Sequence, residues 1–573
     1  MQAADPPRPE PRPPRVSPFR RKQALLAIAF VALACATMIQ SFSWNQTSHY
    51  DLIRALNQGR TTIDPYQDNT GDKVLYHGHY YSARAPGLAL FSLPFYDTLK
   101  AFGAERWTRA HVAPPQHAGD EMIYLTGLWA NVLPGLLLLL LVYAVGDRFE
   151  PGYGAASAVI LGLGTLVLPL STLLFSHVFT AFLGFAAFWL MLRERDGPPS
   201  LSLLWLAGLA MGYAFSSEYP LFFVGVVLGG FLLSRRDCLT VPLIARRAGA
   251  YILGGLVGII PLLLYNHYAF HSWTHLAYSD VHKQQRGFFG IEAPSLKVLS
   301  TLLFDSRGLL TVSPVLIMGA IGTVMLYRRA RRAEALTITA ICLCYLIYNS
   351  GYYLPFGGGF MGPRFLTTML PFLACPIGLA LKRFPGPTVA LACASIAITV
   401  IATITHPLIG YETEAVAWER DLSQGLLQPT IASAYGLGRG YGGIWPFFLA
   451  AGAGIVLACW ATPRVHISAR TLLAGAGCLL AWGLFAALAP RLLGLDHAGL
   501  ESIYKAGDLT ALNPAQPGRP YGAYPLDKIV PICVAAGLLG LGAFGLARRQ
   551  PRRPRQDRAE GTPAPRAAPV ASA

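Results

Sequence analysis

Charge is scarce in this chain. Only 13% of its 573 residues are Asp, Glu, Lys or Arg, against 53% hydrophobic, and that shortage excludes the soluble multidomain protein its length would suggest. The hydrophobic stretches lack the two-residue alternation of strands, which excludes a membrane barrel and leaves helices. Cysteine is missing from the long polar segments. All nine cysteines fall in apolar runs except Cys238, in a basic link, so no disulfide framework is expected. Neither a P-loop with its Gly-Lys-Ser/Thr nor a dinucleotide-binding Gly-x-Gly-x-x-Gly in strand context occurs, which argues against ATP- or NAD-dependent chemistry; GLGRGYGG at 436–443 reads as a flexible turn.

What is present is one apolar run after another, about 17 to 24 residues each, enough to cross a hydrocarbon core of about 30 Å. The expected spans are 24–43, 122–145, 154–174, 177–193, 201–216, 219–234, 249–266, 309–327, 334–352, 364–381, 387–405, 443–461, 470–490 and 529–547. The first is too long for a signal peptide and no small-residue cleavage site follows it. The stretch 86–102, broken by Pro94, Asp97 and Lys100, reads as an interfacial or re-entrant helix.

The net charge of +16 sits between alternate spans. Arg8, Arg12, Arg15, Arg20, Arg21 and Lys22 precede the first, Arg548, Arg549, Arg552 and Arg553 follow the last, and short links carry Arg193, Arg195, Arg246, Arg247, Arg328 and Arg329 among others. This is the positive-inside pattern: about fourteen crossings, both termini cytoplasmic, and no nucleic-acid partner. Four long segments, 44–121, 267–308, 406–442 and 491–528, then fall on the outer face. The tails, 1–22 and 548–573, read as disordered. Residues 23–405 form the expected core and 406–547 a C-terminal membrane region.

The first outer segment holds Asp51, Asp64, Asp68 and Asp72 beside Lys73, Arg84, His49, His77 and His79. Carboxylates there can remove a proton from a hydroxyl, and cations can hold a phosphate. The plainer reading is solvated loop charge, with a turn at Asp64-Pro65. Further on, His177 and Glu218 stand where spans enter the outer leaflet, a costly position that suggests one wall of a polar cavity. Asn266, Tyr278 and Asp280 could add hydroxyl recognition, or YNHYAFHSW could be an aromatic belt. No cofactor is expected; Asp64, Asp68 and Asp72 leave a divalent cation as an alternative.

The sequence resembles the GT-C class of polytopic glycosyltransferases. The resemblance lies in the order of a first span, the amphipathic HYDLIRAL, and Tyr80-Tyr81-Ser82-Ala83-Arg84-Ala85-Pro86-Gly87, similar to the Tyr-x-x-Lys-Pro-Pro motif of the aminoarabinose and protein-mannosyl transferases. YNHYAF, APSLKVLSTLLFDSRGLLTVSPVL and GGGFMGPRFLTTMLPFL look like a bacterial subset of the class. One departure stands out: many members place Asp-Glu just after the first span, and here the matching pair is Asn45-Gln46. An amide cannot act as base, so the role passes to Asp51, then Asp64 or Asp72. Asp51 ranks first because Leu52, Ile53 and Leu56 would lie on the membrane and hold it at headgroup depth.

The resemblance implies an all-α membrane enzyme of the cell (inner) membrane, a hexosyl- or pentosyltransferase that uses a polyprenyl-phosphate sugar donor. The acceptor would be a glycan, lipid or protein outside the cytoplasm. Arg84 and Arg364 are the first candidates for donor phosphate, with Arg307 and Lys73 behind them; Lys73 could equally be an ion pair with Asp72. The alternatives are a lipid-linked sugar flippase, which should show mid-bilayer polar groups and an internal repeat, and a non-catalytic subunit of an envelope-assembly complex.

Overall fold

The computed structural model describes residues 17–111, 122–235, 237, 240–281, 287–408, 414–465, 467–493 and 529–548. The expected tails, apart from their innermost residues, and most of the expected loop 491–528 lie outside them.

Helix α1 (Pro18–Thr37) begins where Ser17 accepts a bond from the Arg20 amide at 3.4 Å, with Pro18 in the first helical position, where a missing N–H costs nothing. Its buried stripe of Ala24, Ala27, Ile28, Val31, Ala34 and Cys35 recurs at helical spacing. Among the described residues, seven helices are long and apolar enough to cross a membrane: Ile123–Phe149, Ser176–Asp196, Val241–Phe270, Arg332–Ser350, Pro385–Ile404, Ala469–Ala489 and Ile529–Ala547. Counting two bent pairs as single spans brings the number to nine. The chain is a multi-pass membrane protein.

Every expected span overlaps a helix or helix pair, but several shapes differ: the expected 24–43 is helical only as far as Thr37. The expected 309–327 is a helical segment, Leu296–Val312, turning 89° into Leu316–Arg328, and the expected 364–381 is Arg364–Ala374 turning 55° into Ile377–Arg383. Pro314 and Pro376 sit at those breaks and cannot donate to the ladder. The expected 154–174 stops at Gly164, with Val167–Ser171 a separate turn. Four more expected spans, counting that one, are the shorter apolar helices Gly154–Gly164, Leu201–Ser217, Leu221–Ser234 and Trp445–Ala461.

Lipid tails are as apolar as side chains, so helix pairs gain chiefly from close packing. The Leu201–Ser217 and Val241–Phe270 helices approach through Gly208, Gly212, Gly254 and Gly258. A Cβ at Gly208 would stand 1.9 Å from the Tyr251 carbonyl oxygen, and one at Gly254 2.0 Å from that of Trp205.

At one end of the bundle the basic links close on buried carboxylates. Glu194 pairs with Arg247 at 2.8 Å, Glu334 with Arg195 at 2.8 Å, and Glu150 with Lys382 and Arg329, both at 2.5 Å. The described parts of segments 44–121, 267–308 and 406–442 fold at the other end. Helix α2 (Trp44–Asn57) contains HYDLIRAL, and protein rather than lipid covers Leu52 and Ile53: Tyr50, Asp51, Leu52 and Ile53 are buried beside α3 (Gly87–Ala101). An amphipathic pattern serves either surface, since both are apolar.

The all-α expectation also needs correction. Strands β1 (Lys73–Tyr76) and β2 (His79–Ser82) form an antiparallel hairpin, Lys73 opposite Ser82 and Tyr76 opposite His79. The turn residues His77 and Gly78 both have positive φ, 49° and 86°, which suits the right-handed twist of the flanking strands.

Candidate functional site

The hairpin register builds the first part of the site. With Lys73 opposite Ser82, the next residues outward bring Asp72 and Arg84 together, and the Ala83 amide bonds the Asp72 carbonyl at 3.0 Å. The Arg84 guanidinium then pairs with the Asp72 carboxylate through Nη2 and Oδ2. Helix α2 is tied to the same point, because Ser48 Oγ donates to the Asp72 carbonyl at 2.6 Å and lies 2.8 Å from Ser82 Oγ. One turn apart on α2, Asn45 and His49 share a face. With its amide oxygen toward Arg84, Asn45 accepts from Nε at 3.1 Å and Nη1 at 3.3 Å. Burial works against the charge on Arg84, but Asp72 and then Tyr278 carry its pKa above the ordinary value.

The second part comes from helix ends. The Leu201–Ser217 helix stops at Glu218, followed two residues later by Pro220, which disfavours helical continuation. The Glu218 carboxylate accepts from Ser176 Oγ at 2.7 Å and Thr180 Oγ1 at 3.1 Å, and pairs with His177 Nδ1 through Oε1. Burial raises its pKa, yet His177 together with the Ser176 and Thr180 hydroxyls outweighs that, and the carboxyl ends below its ordinary value. Tyr278 reaches the same wall, its ring 5.0 Å from that of Tyr219.

Arg364 makes the third part. It is 6% exposed, with its guanidinium 5.0 Å from the centre of the Phe175 ring and 5.6 Å from that of Phe365. It packs on Gly357, where a Cβ would stand 2.5 Å from Arg364 Nε. Arg307 approaches the same glycines, with Nη1 3.5 Å from the Gly358 carbonyl oxygen and its guanidinium 4.6 Å from the Phe356 ring. The charges of Arg84, Asp72 and Glu218 all reach Arg364. His49 lies among them: burial, and then the charges of Arg84 and Arg364, push its imidazole down to about 3, so it is neutral at physiological pH. Among the described residues neither His49 nitrogen, nor His177 Nε2, nor Arg364 Nε has a hydrogen-bond partner.

The cluster therefore unites Arg84, Asp72, His177, Glu218, Tyr278 and Arg364 from the expected set. Asp51 stands apart on α2, bonded to Arg54 at 3.5 Å and Asn69 at 3.2 Å. Asp64 caps the hairpin, taking the Tyr80 amide at 2.6 Å and His79 Nδ1 at 2.8 Å. Those bonds hold its carboxyl below the ordinary value against a burial effect that raises it. Lys73 does not pair with Asp72: its Nζ donates to the Gln67 carbonyl at 2.5 Å and lies over the Tyr80 ring. Asn266 is buried near the end of the Val241–Phe270 helix, its amide nitrogen unpaired among the described residues. Asp64, Asp68 and Asp72 do not converge, and no group of three His, Cys, Asp or Glu among the described residues could hold a metal ion. Asn45, a departure from the motif, stands beside Arg84 and can accept from it with its amide oxygen turned that way.

No protein-family model and no curated protein matches this chain. Among solved structures it is similar to apo ArnT from Cupriavidus metallidurans, at 16% identity and TM-score 0.42, covering 81% of this chain and 78% of that one. The same protein bound to undecaprenyl phosphate gives 14% and 0.41, covering 92% and 87%. The apo Archaeoglobus fulgidus oligosaccharyltransferase gives 12% and 0.39, covering 91% of this chain and 63% of that one. Both proteins are GT-C glycosyltransferases, the class that the motifs of this sequence resemble. Superpositions this loose lend the site no further weight, and its chemistry is read from its own side chains.

Proposed function

We propose that the chain is a membrane glycosyltransferase that moves a sugar from a polyprenyl-phosphate donor to an acceptor hydroxyl at the membrane surface, outside the cytoplasm. The observation that carries this reading is Arg364. A buried guanidinium is costly unless an anion joins it. Its neighbouring carboxylates are committed elsewhere, Asp72 to Arg84 and Glu218 to His177, and among the described residues none forms an ion pair with Arg364. Its Nε is also unpaired there. A phosphate between Arg364 and Arg84 satisfies both, and a guanidinium can engage it through two parallel bonds. Fixed positive charge at the leaving oxygen stabilises the phosphate as the sugar departs. A lipid-borne donor also accounts for a site built at the end of a bundle of membrane helices.

Asp72 then serves to set Arg84 rather than to act on the acceptor, and Asp51 to brace α2. The test is transfer by the purified protein in nanodiscs, with a panel of radiolabelled polyprenyl-phosphate sugars and envelope acceptors. Label should pass to the acceptor as polyprenyl phosphate is released. Arg364→Lys keeps the charge but loses the planar fork, so donor affinity should fall roughly ten- to 150-fold, from about 1.5–3 kcal/mol per charge-assisted contact. Passage of intact donor across the bilayer, sugar still attached, would establish the flippase instead.

A further inference from the structure

The geometry points to His177, held by Glu218, as the group that takes the proton from the acceptor hydroxyl. This rests on the glycosyl-transfer reading above and assigns the proton-removing step to His177 in place of a first-segment aspartate.

The argument starts from Glu218. Ser176, Thr180 and His177 all bond it, so the carboxylate is fixed on several sides before any substrate arrives. A carboxylate next to Nδ1 fixes the tautomer, with the proton on Nδ1 and the lone pair on Nε2. Nε2 is buried and has no hydrogen-bond partner among the described residues. The ring is held between aromatic neighbours, its centre 5.9 Å from that of Phe175 and 5.6 Å from that of Phe365. Those are the two rings that flank Arg364, so the lone pair and the phosphate-binding cation share one wall. An oriented imidazole with a free nitrogen, backed by a carboxylate, is the arrangement by which enzymes activate hydroxyl nucleophiles.

In the step, the acceptor oxygen forms a bond to the anomeric carbon while the bond from that carbon to the donor phosphate oxygen breaks. The bonding pair leaves with the phosphate, which gains one negative charge against Arg84 and Arg364. The acceptor's proton passes to His177 Nε2, and Glu218 offsets the imidazolium that results. His177 returns the proton to the released phosphate or to water. His177 is the catalytic residue and Glu218 a positioning residue.

The experiment uses the full chain in nanodiscs with the donor that the wild type uses. His177→Asn can keep the bond to Glu218 through its side-chain N–H but has no lone pair at the Nε2 position. Turnover should fall roughly 10²- to 10⁴-fold while donor binding and thermal midpoint hold. His177→Gly should regain part of its turnover when imidazole is added, which a structural role does not predict. Glu218→Gln should keep donor affinity and lower turnover by less than His177→Asn does, because the amide can still hold the ring but no longer offsets the imidazolium formed in the step. His177→Asn transferring at the wild-type rate overturns the assignment and leaves the glycosyltransferase reading intact. Loss of donor binding in both His177 variants, with no rescue by imidazole, also overturns it, because His177 then only holds the donor-binding residues in place. Absence of transfer by the wild type with every donor removes the parent reading instead.

Discussion

Asp72 and Arg84 face each other across the open end of the first-segment hairpin, one residue before β1 and two after β2. The partnership follows from a register closed by the His77-Gly78 turn, so the position of the guanidinium is a property of the hairpin. Arg84→Ala should weaken donor binding roughly ten- to 150-fold, from about 1.5–3 kcal/mol for a lost charge-assisted contact. Part of that loss comes from leaving Asp72 unpaired beside the donor phosphate. Adding Asp72→Asn to Arg84→Ala should therefore recover some affinity, with a coupling of about 0.5–3 kcal/mol in a double-mutant cycle. Equal affinities for the single and double variants would show that the pair does not shape the donor site.

Asp51 gives a second prediction. It is fully buried, on a helix enclosed by protein, and its bonds go to Arg54 and Asn69. Asp51→Asn should lower stability by about 1–3 kcal/mol and leave the transfer rate per folded molecule near that of the wild type. A thermal melt and a single-turnover assay on the same preparation separate the two effects. A rate loss of a hundredfold or more with an unchanged melt would return the base to Asp51.

Much of the helical fold was legible because an apolar run long enough to cross a membrane admits few other structures. The burial of α2 was not legible, since Leu52 and Ile53 would face lipid or protein equally well. The hairpin was hidden for another reason: its turn is His77-Gly78 and not the Asn-Gly or Asp-Gly that marks such turns most strongly. Arg84 and Arg364 could be named as candidates from their motifs. That Arg364 lacks an ion-pair partner among the described residues depends on which carboxylates other cations occupy, and only the folded chain fixes that. The role of Asn45 was not legible either, because its place beside Arg84, where its amide oxygen can accept two bonds from the guanidinium, depends on how α2 meets the hairpin.

His49 supplies a pH prediction. Its pKa is pushed down to about 3 in the folded protein, first by burial, from an unfolded value near 6.5. Between these values the unfolded chain binds the proton and the folded chain does not, so folded stability falls as pH drops from about 6.5 toward 3 and is flat above. His49→Gln lacks this titration. The thermal midpoint of the wild type should drop more steeply between pH 6.5 and 4.5 than that of the variant, and parallel profiles would mean that His49 is protonated without cost.

The last prediction separates backbone strain from the placement of Arg364. Gly357 and Gly358 both have positive φ, 77° and 92°, a conformation that a residue with a Cβ holds only under strain. Their surroundings differ. A Cβ at Gly357 would stand 2.5 Å from Arg364 Nε and 2.8 Å from its Cγ, whereas one at Gly358 meets nothing within 4 Å. Gly358→Ala should therefore cost stability alone, about 1–3 kcal/mol for the strained backbone, with donor affinity retained. Gly357→Ala should cost a similar amount and also push the guanidinium out of its place between Phe175 and Phe365. Its charge remains, so any further loss of donor affinity measures position and not charge. Thermal melts and donor titrations on the two variants read both quantities. If they lose donor affinity equally, the glycine segment acts as a unit and the contact between Gly357 and Arg364 is not what aims the guanidinium. If only Gly357→Ala loses affinity, the missing Cβ at 357 is what leaves Arg364 room to face the phosphate.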